Sequence, residues 1–112
     1  MDVNEETIDG VLVVSPSGRL DSNTSPEFET YLFGRLEETP SLVIRFADVD
    51  YISSAGLRVM LMAAKKVKQL GGRLVLCDIG EPIREVFEIS GFLSILEVCD
   101  DRGTAVQKVC EG

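Results

Sequence analysis

Three short apolar runs, Val11-Leu-Val-Val14, Leu42-Val-Ile-Arg-Phe46 and Arg73-Leu-Val-Leu-Cys77, most constrain what this chain can fold into. None alternates cleanly between apolar and polar residues, as a strand with one wet face would. Each reads as a strand buried on both faces, the kind found in parallel sheets covered by helices. Helical periodicity fills the gaps between them. Phe28, Tyr31, Leu32 and Leu36 mark a helix running to about Glu38. Leu57, Met60, Leu61, Ala64 and Val67 mark a longer one from Ala55 to Leu70, with Gly71-Gly72 as its stop. Ile83, Val86, Phe87 and Ile89 mark a short third helix, opened by Glu81-Pro82 and closed by Gly91. Ile95-Leu-Glu-Val98 predicts a last short strand, and Asp100 or Asp101 a cap for a final helix from about Thr104 to Val109.

Two stretches punctuate this order. Ser15-Pro16-Ser17-Gly18 predicts a turn ending the first strand, with Arg19-Leu20 resuming a strand beyond it. Asp21-Ser22-Asn23-Thr24-Ser25-Pro26-Glu27 gathers helix-start signals, with Thr24 and Glu27 as a capping box and Pro26 in the first turn. The expected architecture is α/β: a mostly parallel sheet of four to five strands and about four helices, packed mainly on one side. In such a sheet the working edge lies at the carboxyl ends of the strands. The Asp21 turn and the segment between Phe46 and Ala55 both fall there.

Composition narrows the function. The 112 residues suit one domain, spanning 1–112. A net charge of −8, with no basic run longer than Lys65-Lys66, argues against nucleic acid or an anionic membrane as partner. There is no histidine, which removes the commonest general base and metal ligand. Cys77, Cys99 and Cys110 lack metal-type spacing and read as reduced thiols, so neither a metal nor a cofactor is expected. No secretion signal and no apolar run near 18 residues is visible, which points to the cytoplasm. A monomer is the default expectation.

The segment Ala47-Asp-Val-Asp-Tyr-Ile-Ser-Ser-Ala-Gly-Leu-Arg58 carries the most information. A serine at a helix start is ordinarily a cap, because its oxygen accepts a bond from a free backbone N–H. Gly56 inside the first helical turn is less ordinary. It costs about 1 kcal/mol relative to alanine, so a small, approachable surface is expected there. A phosphoryl group on Ser53 or Ser54 would lie near the free N–H groups and positive end of the helix. Asp48 and Asp50 read as solvated loop carboxylates rather than metal ligands. On the long helix, Arg58, Met62, Lys65 and Gln69 project beside the core stripe. A flexible thioether among charges suits an adaptable protein interface.

With Gly18-Arg-Leu-Asp21 and Gly72-Arg-Leu-Val-Leu76, the run Tyr51-Ile-Ser-Ser-Ala-Gly-Leu-Arg58 resembles the bacterial anti-sigma factor antagonists, which are stand-alone STAS domains. The resemblance spans nearly the whole chain. It implies a mixed sheet covered by helices and a non-enzymatic partner switch. In that cycle the dephosphorylated antagonist binds an anti-sigma factor, a serine kinase of the histidine-kinase-like ATPase fold, and so frees the sigma factor. The kinase ejects the antagonist by phosphorylating it, and a PP2C-type phosphatase restores it. The family often reads Asp-Ser-(Ser or Thr)-Gly-Leu; aligned on Gly56-Leu57, its acceptor slot holds Ala55 and its aspartate slot holds Ser53. Ser54 is then the first choice of phosphoacceptor and Ser53 the second. The resemblance also implies partner contacts by Asp21, Ser22, Asn23, Ser53, Ser54, Gly56, Arg58 and Met62. Asp21, Ser22, Asn23 and Thr24 read equally as turn or cap residues. Two other functions stay open: a STAS module of another partner-switching, stress-sensing or lipid-transport complex, and a small enzyme using Asp21 and Ser54.

Overall fold

The computed structural model describes residues 2–111. In chain order they form β1 (Asp2–Ile8), β2 (Val11–Leu20), α1 (Ser25–Glu38), β3 (Leu42–Arg45), β4 (Val49–Ile52), α2 (Ser54–Gln69), β5 (Leu74–Cys77), α3 (Glu81–Ser90), a 3-10 turn (Phe92–Ser94), β6 (Glu97–Cys99) and α4 (Arg102–Glu111). The sheet runs β1-β2-β3-β5-β6, with β4 beside the second half of β2. β1 is antiparallel to β2, and the remaining pairings among the described residues are parallel. This is the expected mixed, mostly parallel α/β fold with four α-helices.

Both faces of the three central strands are covered, which is why their sequences do not alternate. Leu12, Val14, Leu42, Ile44, Leu74 and Leu76 turn to one side and join the larger core, with residues of α1, α2 and α3. Val11, Val13, Val43, Val75 and Cys77 turn to the other and meet Ala105 and Val106 of α4. Register makes the layers coherent: Val13 stands beside Val43, and Val43 beside Val75. Three helices therefore share one face while α4 alone covers the opposite one.

Among the described residues there are six strands where four to five are expected, and the two unexpected ones, β1 and β4, have different causes. β1 is polar, and of its residues only Val3 and Ile8 are half-buried. It forms because Asp9 (φ 51) and Gly10 (φ 81) make a two-residue turn with both residues left-handed, the geometry that matches strand twist and favours Asp-Gly. β4 replaces what reads as a loop. It buries Val49 and Ile52 and exposes Asp50 and Tyr51, so neither strand nor helix spacing marks it. Nor does the Ser15–Gly18 turn end the first strand. β2 continues through it, with Pro16 opposite Val3 and a register shift between Gly18 (φ 94) and Arg19, because β1 pairs with β2 as far as Ser17 and β4 takes over from Gly18.

Further differences are local. The Thr24–Glu27 capping box does not form, since Thr24 sits at the N-cap without a side-chain bond into the helix. α2 starts one residue early, at Ser54, and buries Val59 and Ala63 while Leu61 and Ala64 are half-buried. Its stripe is rotated because β4, as well as β5, lies beneath it. Ile89 is 87% exposed rather than part of the α3 core stripe. Phe92–Ser94 takes up the chain that delays the last strand to Glu97–Cys99, and α4 is longer than expected, at Arg102–Glu111.

Candidate functional site

β2 and β4 end side by side, and their neighbouring ends join the two segments that read as functional. The carbonyl of Leu20 accepts a hydrogen bond from Ser53 N at 2.8 Å. This bond ties the loop after β2 to the start of α2, at the carboxyl ends of parallel strands.

Asp21 organises its own loop. Its Oδ1 accepts hydrogen bonds from Asn23 N at 2.9 Å and Thr24 N at 3.1 Å. Thr24 Oγ1 accepts from Asp21 N at 3.0 Å and donates to the Arg19 carbonyl at 2.6 Å. Thr24 thus closes the turn instead of capping α1. The other carboxylate oxygen of Asp21 faces Arg19 Nε at 3.6 Å, and that guanidinium lies 4.2 Å over the Tyr51 ring. The backbone N–H of Thr24, then that of Asn23, hold the Asp21 carboxyl below the usual aspartate range. Asp21 is therefore a turn residue by geometry, presenting the exposed side chains of Ser22 and Asn23 beyond it.

The two serines at the start of α2 differ. Ser53 is the N-cap, with extended backbone, and its Oγ accepts from Gly56 N at 3.4 Å. Ser54 is the first helical residue. Its side chain is exposed, and its hydroxyl has no hydrogen-bond partner among the described residues. Gly56 does not offer an approachable surface; it is buried. A Cβ there would lie 2.7 Å from Ile52 Cγ1, 2.9 Å from the Leu20 carbonyl oxygen and 3.1 Å from Leu20 Cβ. Its smallness lets α2 approach the ends of β2 and β4, so its contribution to the site is packing.

Arg58 and Met62 line a groove of about 250 Å³ between α1 and α2. Ala55 and Val59 complete their wall, while Ser22, Ser25, Pro26 and Glu29 stand on the α1 side. Arg58 is exposed, and Met62 is half-buried as a wall of this groove. Lys65 and Gln69 are exposed outside it. Ser25 is a residue that sequence reasoning passed over. It is only 2% exposed, and its Oγ has no hydrogen-bond partner among the described residues. In the sequence it looks like one more polar residue at a helix start, and nothing there indicates that it faces a second helix. Among the described residues no group of three His, Cys, Asp or Glu side chains is placed to hold a metal. No helix of the described residues is long and apolar enough to cross a membrane.

A sheet of this order, with helix starts gathered at its carboxyl edge, defines a class of domain, and comparison with known proteins identifies it. The model of the STAS domain family matches residues 2–105. BtrV of Bordetella bronchiseptica, which carries the provisional name of anti-sigma factor antagonist, is 42% identical over 94% of this chain and 91% of its own length. The anti-sigma-B factor antagonist of Staphylococcus epidermidis is 33% identical over 96% of this chain and all of its own. The crystal structure of an anti-sigma factor antagonist from Mycobacterium paratuberculosis superposes with a TM-score of 0.86 at 25% identity, covering 96% of this chain and 92% of that one. The chain belongs to the anti-sigma factor antagonist family of STAS domain proteins. Members of this family are binding proteins, not enzymes.

Proposed function

We propose that this protein is a phosphorylation-controlled antagonist of an anti-sigma factor, working in the cytoplasm. In its dephosphorylated state it binds an anti-sigma factor that is also a serine kinase of the histidine-kinase-like ATPase fold, and the sigma factor is released. The contact surface takes in the Asp21–Asn23 loop, Ser53, Ser54 and the Arg58–Met62 side of the groove. The kinase then ends the association by transferring the γ-phosphoryl group of ATP to Ser54. A bond forms between Ser54 Oγ and phosphorus, the bond from phosphorus to the bridging oxygen of ADP breaks, and a base of the kinase takes the hydroxyl proton. A PP2C-type phosphatase hydrolyses the ester and returns the antagonist to its binding state.

The observation that carries the choice of acceptor is the division of labour between the two serines. Ser53 spends its oxygen on the cap, whereas the exposed Ser54 hydroxyl has no bond to give up. The start of α2 tolerates the product, because an anion there faces free N–H groups and the positive helix end. The experiment is phosphopeptide mapping after incubation with the cognate kinase and ATP. Phosphate on the peptide at Ser54, abolished by Ser54→Ala and retained by Ser53→Ala, is expected. Phosphate at Ser53 moves the switch by one residue, and none at either serine refutes it.

A further inference from the structure

Arg58 stands apart from the other arginines. Arg19, Arg35, Arg45, Arg73, Arg84 and Arg102 each lie against an aspartate or glutamate. Arg58 has no carboxylate partner among the described residues, in a chain with 19 acidic side chains and a net charge of −8. It follows Ser54 by four residues on α2, so the two occupy neighbouring positions on one helix face. Helical side chains lean toward the N-terminus, which directs the Arg58 guanidinium back over the first turn.

The opposite wall of the same groove holds a second unmet group. Ser25, at the start of α1, is 2% exposed and lines the groove beside Ser22, yet its hydroxyl makes no hydrogen bond among the described residues. A buried hydroxyl is ordinarily paired, and an orphan calls for an explanation. The first turns of two helices, α1 through Ser25 and α2 through Ala55, next to Ser54, therefore flank one groove with an unpaired guanidinium and an unpaired hydroxyl. Guanidinium, hydroxyl and helix starts are together the donor set that recognises a phosphomonoester. The acid of the groove, Glu29, lies one turn further along α1 than Ser25, so an anion is favoured at the end of the groove that carries Ser22, Ser25 and Arg58, taken here as its mouth.

We infer that this mouth is a phosphate clamp acting in cis: once Ser54 carries a phosphoryl group, Arg58 pairs with its oxygens and Ser25 Oγ donates a hydrogen bond to it. The inference rests on the proposed role of Ser54. Its consequence is that one modification removes two features from the partner surface. The phosphate adds negative charge where a partner docks, and it also draws Arg58 into the groove and away from the partner.

The test installs phosphoserine at position 54 of the full chain during translation, by suppression of a stop codon, so no kinase need select that site. The second ionisation of the phosphate is then followed by phosphorus NMR across pH in the otherwise wild-type protein, in Arg58→Gln and in Ser25→Ala. The helix dipole acts equally in all three, so differences isolate the two side chains. Arg58→Gln should raise the phosphate pKa by about 0.5 unit or more, and added salt should shrink that gap. Ser25→Ala should raise it by a smaller margin. Equal values in wild type and Arg58→Gln overturn the clamp. An effect of Arg58→Gln without one of Ser25→Ala removes the hydroxyl from it. Unmodified Arg58→Gln should melt as wild type does, since the residue is exposed and unpaired, which excludes a folding defect as the cause. Kinase mapping to another residue would refute the proposed acceptor while leaving this result at position 54 standing, so the two failures are distinct.

Discussion

Replacing Gly56 with alanine puts the smallest possible wedge into the joint that organises the site. The added methyl would sit 2.7 Å from Ile52 Cγ1 and 2.9 Å from the Leu20 carbonyl oxygen, with Leu20 Cβ at 3.1 Å. The Ile52 side chain can turn aside. The Leu20 carbonyl cannot move alone, because it accepts the 2.8 Å bond from Ser53 N that ties the two loops together. Overpacking of this kind costs about 1–3 kcal/mol. Alanine returns about 1 kcal/mol through its better helix propensity. The net expectation is a loss of up to roughly 2 kcal/mol, or up to about 8 °C in melting temperature for a domain of this size. Thermal and urea unfolding followed by circular dichroism would measure it. A second consequence is local: α2 must shift outward, lengthening the Ser53–Leu20 bond and exposing the amide of Ser53 to faster hydrogen exchange. If Gly56→Ala proves as stable as wild type, with Ser53 exchange unchanged, the close approach is not what requires glycine.

Other expectations follow from the same geometry. Ser54→Asp should keep the circular dichroism spectrum and melting behaviour, since the side chain is exposed at a helix start, yet weaken binding to the cognate kinase at least about tenfold by titration calorimetry, because taking a charge out of water in the contact costs several kcal/mol. Ser54→Ala should bind well. Ser53→Ala loses an N-cap bond of 3.4 Å and should cost about 0.5–1 kcal/mol in urea unfolding, toward the low end of measured caps. Asp21 has its folded pKa lowered by backbone N–H groups, so its stabilisation is present above the ordinary aspartate value of about 3.9 and is lost as pH falls through the lower folded value. Asp21→Asn should therefore flatten the fall of melting temperature below about pH 4, and an unchanged acid limb would contradict the turn geometry.

The elements legible in the sequence were those whose evidence is local. Val11–Val14, Leu42–Ile44 and Leu74–Cys77 are apolar because both sheet faces are covered, and that condition is written into each run by itself. The same holds for the stop of α2 at Gly71 and for the serine cap at the head of that helix, where turn chemistry and caps act within a few residues. Asp9-Gly10 belonged to this legible class too, and a hairpin reading of that pair would have found β1.

What only the tertiary structure decided depends on which distant segments meet. Val49-Asp-Tyr-Ile52 has no strand period, and it becomes β4 because the second half of β2 supplies its hydrogen-bonding partner across a register shift. Gly56 looks like an approachable surface until Leu20 and Ile52 are brought beside it, 36 and 4 residues earlier in the chain. Ser25 and Arg58 lie 33 residues apart and share a groove only because α1 and α2 pack side by side over one sheet. Propensity and capping are properties of a few neighbouring residues, whereas burial, close approach and an unpaired donor are properties of the space between elements.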